Sequence, residues 1–167
     1  MKKFIPDSFQ VPKKLETDRI RLRMLTIDDL TKDYEAVITS LEHLQCVFGP
    51  FDHWPQKDLT LEQDLNDLRF HQEEFQKRTS FTYTVMNPDE SKCLGCVYIM
   101  PSTNVKYDVV VIAWVRKDEM ANGLDKYLFI TVKNWIKEKW PFDSVAYPGR
   151  ETSWDEFKDN YFLQSTA

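Results

Sequence analysis

Met120-Ala121-Asn122-Gly123-Leu124-Asp125 is the stretch best suited to chemistry. It lies between an apolar run and an amphipathic one, and its glycine sits where a loop turns into a helix. A helix entered this way presents backbone N–H groups with no intrahelical partner, and these attract phosphate. Folds that bind no ligand use the same geometry. Cys93-Leu94-Gly95-Cys96 has C-x-x-C spacing, but a chain with three cysteines has no second pair to complete a zinc site. Positions three apart on a strand face opposite sides, so the two thiols read as reduced and structural. His43 and His71 fall on separate predicted helices without partners at metal spacing. Neither a Ser/His/Asp nor a Cys/His grouping occurs, nor a Walker-type loop, so no nucleophile and no metal are expected.

The elements around the first motif are well marked. Tyr107-Asp108-Val109-Val110-Val111-Ile112-Ala113-Trp114-Val115 is apolar at odd and even positions alike. Such a strand is covered on both faces and lies inside a layered sheet. After the motif, Leu124, Leu128, Val132, Trp135 and Ile136 recur at helical steps until Pro141 stops them. Asn122 reads as the N-cap of that helix. Asp125 then falls on its first turn, where its carboxylate reaches back to the Asn122 N–H as a reciprocal cap. Lys137-Glu138-Lys139 is a solvated helix end whose cations suit the dipole.

With 167 residues the chain is most simply one domain with a proper core, 1–167, opening on an extended arm at 1–14. A net charge of −5 argues against nucleic acid and acidic membrane surfaces as partners. The start lacks an apolar leader and no later run is long enough to span a bilayer, so a soluble cytoplasmic protein is expected.

From the amino end, 19–25 alternates as a strand. Thr26 caps a helix through Leu30, Tyr34, Val37, Ile38 and Leu41. Phe48-Gly49-Pro50-Phe51-Asp52-His53-Trp54-Pro55 is an aromatic loop between prolines. A second helix carries Leu61, Leu65, Leu68 and Phe75, with Gln and Glu on its other face. Strands at 81–86 and 93–100 form a hairpin across Asn87-Pro88-Asp89-Glu90-Ser91. A short strand at 142–147 and a helix at about 154–163, opened by the capping box Ser153-Trp154-Asp155-Glu156, complete the order β-α-α-β-β-β-α-β-α. The fold class is α+β: three layers, α/β/α, around a mixed, largely antiparallel sheet with one β-α-β crossover. The 142–147 strand would be a sheet edge, so cover by the 154–163 helix or pairing with a second copy in a homodimer is expected.

Leu15-Glu16-Thr17-Asp18-Arg19-Ile20-Arg21-Leu22-Arg23 and the element order that follows resemble the GCN5-related N-acetyltransferase (GNAT) superfamily. The opening is similar to the branch that acetylates ribosomal-protein N-termini and related amines. The resemblance implies an acyl-CoA N-acyltransferase-like fold and transfer of acetyl from acetyl-CoA to the amine of a peptide or small molecule. It also implies that the cofactor lies along Trp114, Val115, Arg116, Met120, Ala121, Asn122, Gly123, Leu124 and Asp125. The family pattern there is Gln/Arg-x-x-Gly-x-Gly/Ala. Gly123 matches its first glycine, whereas Met120 and Asp125 depart from it. Val109 stands at the position where many members carry a general base, and Asp108 alternates to the other face. Tyr161 corresponds to a tyrosine that protonates the leaving thiolate in several members. His53 and Trp54 fall where the family lines the acceptor side, as a wall for an amine with an apolar body. Members go on to two further strands after the last helix. The same scaffold without catalysis would serve as a binding or interaction module.

Overall fold

The computed structural model describes residues 3–158. Six strands form one sheet in sequence order: β1 Lys14–Glu16, β2 Arg21–Met24, β3 Phe81–Met86, β4 Cys93–Pro101, β5 Val109–Val115 and β6 Val145–Ala146. Neighbours are antiparallel except β5 and β6, which are parallel because helix α3, Leu124–Lys139, carries the chain across between them. Helices α1 Leu30–Ile38, α2 Leu61–Gln76 and α4 Trp154–Lys158 complete the set. This is the mixed, largely antiparallel α+β sheet with its single crossover.

Alternation divides the core in two. Val109, Val111, Ala113 and Val115 of β5 pack with Leu124, Leu128, Val132, Trp135 and Ile136 of α3. Val110, Ile112 and Trp114 face Ala36, Val37 and Leu68 of α1 and α2. Every residue of β5 is buried, with β4 on one side and β6 on the other, as its two-sided apolar pattern requires.

Several details depart from the sequence pattern. Strand β1 adds a hairpin before β2, closed by the Thr17 hydroxyl accepting from the Arg19 and Ile20 N–H groups. The arm before it is packed rather than free. Ile5 is buried, Phe4 and Phe9 lie against the core, and the Pro12 carbonyl accepts from the Tyr83 hydroxyl. Helix α1 stops at Ile38, short of Leu41, and at its end the Thr39 hydroxyl donates back to the Glu35 and Ala36 carbonyls. His43 therefore sits in the turn beyond the helix. In the β3–β4 pair Val85 faces Gly95 while Met86 faces Cys93, so Leu94 is an extra residue. That bulge shifts the parity and turns Cys93 to the same face as Cys96, correcting the expectation of opposite faces. Both thiols are free and buried, and burial pushes Cys93 up to about 12.

Asp108 fixes the start of the β5–β6 pair by accepting from the Asp143 and Ser144 N–H groups. Helix α4 lies on the α1–α2 side: Trp154 and Phe157 join the cluster that contains Ala146, and the Asn104 amide donates to the Phe157 carbonyl. Gly149, at φ +78°, admits the Trp154 indole, whose Nε1 lies 2.8 Å from where a β-carbon would stand. The Ser153 hydroxyl accepts from the Glu156 N–H, but the Glu156 carboxylate accepts from Tyr107 instead of closing the box.

Candidate functional site

β5 and β6 pair only at Val109–Val145 and Val110–Ala146, then part. The gap is a cleft of about 300 Å³. One wall is the β5 stretch from Ile112 to Val115; the facing wall is Pro148, Gly149, Arg150 and Trp154; the turn carrying His43 and Cys46 closes the third side. Met120 and Asp125 stand at the end where α3 begins. Strand backbone beyond the pairing lacks ladder partners, so a cleft of this kind can bind a ligand through main-chain hydrogen bonds.

Gly123 forms the entry to α3. Its φ of +70° ends the 3₁₀ turn Lys117–Asn122 and makes it the residue before the first helical turn. A β-carbon there would meet nothing within 4 Å, so the glycine is required by its backbone conformation, not by a close neighbour. The cap expected from Asn122 is absent: its amide donates to Glu119, 2.8 Å away. Nor does Asp125 reach back to Asn122. Its two oxygens accept from Nη1 and Nη2 of Arg150 at 2.9 and 2.8 Å. A guanidinium fork matches a carboxylate better than a strained reciprocal cap does. The first-turn N–H groups of Leu124, Asp125 and Lys126 consequently have no acceptor among the described residues.

The nine residues implicated in cofactor binding divide. Trp114, Val115, Met120 and Asp125 line the cleft. Ala121, Asn122 and Gly123 lie exposed outside it, and Leu124 is buried against the α3 side of the sheet. Arg116 is engaged elsewhere. It is 4% exposed, forks onto Glu35 at 2.6 and 2.7 Å, donates through Nε to Asp118 at 2.7 Å and reaches the Cys93 carbonyl at 3.1 Å. Arg116 holds the Glu35 carboxylate below its usual range.

Two side chains that the sequence did not assign to this site complete the cleft. Arg150 also donates to the Ala113 carbonyl at 3.1 Å, and the His43 Nε2 lies 3.1 Å from the Val115 carbonyl. A carbonyl only accepts, so Nε2 is the donor in this contact. Val109, the position matching a general base, is wholly buried on the α3 face. Tyr161 lies outside the described residues. His53 is exposed, and neither it nor Trp54 lines the cleft. Among the described residues no cluster of His, Cys, Asp or Glu could hold a metal ion, and no helix is long and apolar enough to cross a membrane.

A mixed six-stranded sheet that splays after its one parallel pair, with a helix starting at the opening, defines the acyl-CoA N-acyltransferase-like fold of the GNAT proteins. Solved structures bear this out. A ribosomal-protein-S5-alanine acetyltransferase from Vibrio fischeri superposes with a TM-score of 0.62 at 15% identity, over 89% of this chain and 81% of that one. An acetyltransferase from Salmonella typhimurium that modifies the N-terminal serine of ribosomal protein L7/L12 gives 0.62 at 7% identity, over 87% and 80%. The microcin C7 self-immunity acetyltransferase MccE, in complex with acetyl-CoA and AMP, gives 0.57 at 11% identity, over 80% and 71%. No protein-family model matches the sequence, and no curated protein does.

Proposed function

We propose that this protein is an acetyl-CoA-dependent N-acetyltransferase that passes acetyl directly to the amine of a peptide or small molecule. The observation that carries this reading is the cleft where β5 and β6 part, with the unpartnered first-turn amides of α3 at its end. Those amides suit a pyrophosphate. The β5 edge beyond its pairing with β6 suits an extended arm bearing amides, and a thioester laid along it would reach towards the point where the strands meet. Among the described residues no carboxylate stands at the Val109 position, so positioning and exclusion of water carry the rate, with the amine proton passing to solvent. Solved acetyltransferases of the same fold, one of them holding acetyl-CoA, support the reading.

Arg150 and His43 favour a second reading. They occupy the Ala113 and Val115 carbonyls that an incoming arm would use, as a scaffold retained for binding without catalysis could tolerate. The experiment is incubation of the full chain with acetyl-CoA and a panel of N-terminal peptides and primary amines, followed by mass. An amine gaining one acetyl group with release of CoA thiol supports transfer. Cleavage of acetyl-CoA no faster than in buffer, with every amine, supports the binding module.

A further inference from the structure

A second cavity, of about 280 Å³, lies under the aromatic loop and shares no lining residue with the first. Asp33 of α1 and Asp64 and Asp67 of α2 line it with Trp54, His71 and Tyr98, and no lysine or arginine does. Asp33 and Asp64 are 4% and 1% exposed and hydrogen-bond to each other where α1 meets α2. Two carboxylates have no donor between them, so this bond exists only while one of the pair carries a proton. Burial and the charge of Asp64 raise Asp33 well above the ordinary range, which makes Asp33 the donor and Asp64 the acceptor near neutral pH.

The two helices are fastened unevenly. On α1, Glu35 forks onto Arg116, and just beyond the helix the Ser40 hydroxyl accepts from the Lys117 N–H at 2.9 Å. The far half of α2 is tied down as well. Gln72 accepts from the Ile27 N–H at 2.9 Å, His71 meets the Thr82 hydroxyl at 3.3 Å, and Phe75 packs edge-on against Phe81 and Tyr83. The first half, 61–68, has fewer ties: Asp64 to Asp33, Asp67 to the Trp54 side chain, and Leu68 in the core. Just before it, the Leu59 carbonyl accepts from the Tyr34 hydroxyl.

We infer that the proton shared by Asp33 and Asp64 is a latch between α1 and the first half of α2: while it is held the second cavity stays covered, and its loss swings 61–68 away from α1 and opens the cavity to solvent. With both carboxyls ionised, the bond is gone and two like charges stand in contact without a cation among the cavity's lining residues. The other groups facing the pair do not supply this change. Asp29 is bound to Arg23 and Asp67 to Trp54, and burial keeps His71 neutral by lowering it to about 4. Burial pushes Cys93 up to about 12 and raises Cys96 and Tyr98 too. The latch is a property of the pair and does not rest on acetyl transfer.

Hydrogen exchange of the full chain, followed by mass at pH 7 and pH 9 and corrected for the intrinsic rate at each, tests it. Protection over 61–68 falls tenfold or more between the two, while that over 124–139 in α3 stays within about twofold. Asp33→Asn, whose carboxamide donates to Asp64 with no proton to lose, keeps its 61–68 protection over the same range. Equal changes in the two helices, no change over 61–68, or the full natural loss persisting in Asp33→Asn overturns the inference. Should Asp33→Asn not fold, Asp64→Asn takes its place, because it removes the second charge and is expected to be flat as well. Should neither fold, the contrast between 61–68 and 124–139 in the natural chain decides alone.

Discussion

Arg150 grips Asp125 through two parallel hydrogen bonds across the mouth of the cleft while holding the Ala113 carbonyl with the same guanidinium. Without it, a carboxylate on the first turn of α3 would oppose any phosphate approaching the helix amides. Like charges at contact cost around 1 kcal/mol even at water-like dielectric. The pair leaves that turn neutral and places a cation within reach of an incoming anion. Both side chains are partly solvated, 25% and 28% exposed, so the arginine can exchange one oxyanion for another.

The two halves of this pair have opposite effects on the cofactor. Asp125→Ala frees Arg150 for phosphate and should raise CoA affinity about tenfold, or roughly 1.4 kcal/mol. Arg150→Ala leaves Asp125 unpaired beside the phosphate and should lower affinity by about the same factor, although it opens the cleft. Calorimetric titration of the natural chain and both variants with CoA measures this. Equal shifts in one direction would mean that the pair acts only as a plug.

The Arg116 guanidinium is committed to structural partners. Its removal strands the Cys93 carbonyl and empties a buried position, while Glu35, 51% exposed, stays hydrated. Arg116→Ala should destabilise by about 3 kcal/mol, and Arg116→Lys should recover less than half, since an ammonium cannot fork onto Glu35 and reach Asp118 together. Urea unfolding gives both values. Well below their midpoints both variants should bind acetyl-CoA within about twofold of the natural chain; a tenfold loss would return Arg116 to the cofactor site.

The second cavity sets a pH dependence. Burial and Asp64 raise Asp33 well above 3.8, and burial raises Asp64 to about 6 despite its bond with Asp33. A carboxyl raised in the folded state holds a proton there that the unfolded chain has released. Its contribution to stability therefore falls as pH rises from about 4 through 6. His71 acts the other way: lowered from 6.5 to about 4, it makes the folded state gain stability over much of that window. Asp29, Asp67, Cys93, Cys96 and Tyr98 also face this region and are unchanged in the variant. The difference between Asp64→Asn and the natural chain reports Asp64 together with the part of the Asp33 shift that Asp64 causes. The variant should be more stable by about 1–2 kcal/mol at pH 8 and by little at pH 4.5. Urea unfolding at the two pH values checks this, and a variant less stable at pH 8 would show that the carboxylate is satisfied in the folded protein.

The sheet was legible where burial is two-sided. β5 announces itself because every position is apolar, β3 and β4 because they are rich in β-branched and aromatic residues, and α3 because its apolar stripe runs uninterrupted to Pro141. Local patterns could not show what depends on a distant partner. The parity of Cys93 follows from a bulge against β3, and the cap at Asp125 is displaced by an arginine that reaches it only once β6 has returned beside β5. Asp64 looks like one more polar residue on a polar helix face until α1 packs against it. In the cleft, only the strand end and the helix start could be read from the chain; Arg150 and His43 carry no local signal.

Thermal unfolding with and without acetyl-CoA tests the central claim most directly. A ligand at about a hundred times its dissociation constant stabilises by roughly 2.7 kcal/mol, which shifts the midpoint of a domain this size by about 5–10 °C. Acetyl-CoA at millimolar concentration should raise the midpoint by several degrees in the natural chain and by more in Asp125→Ala. An unchanged midpoint in both proteins would contradict the assignment of the β5–β6 cleft to an acyl-CoA.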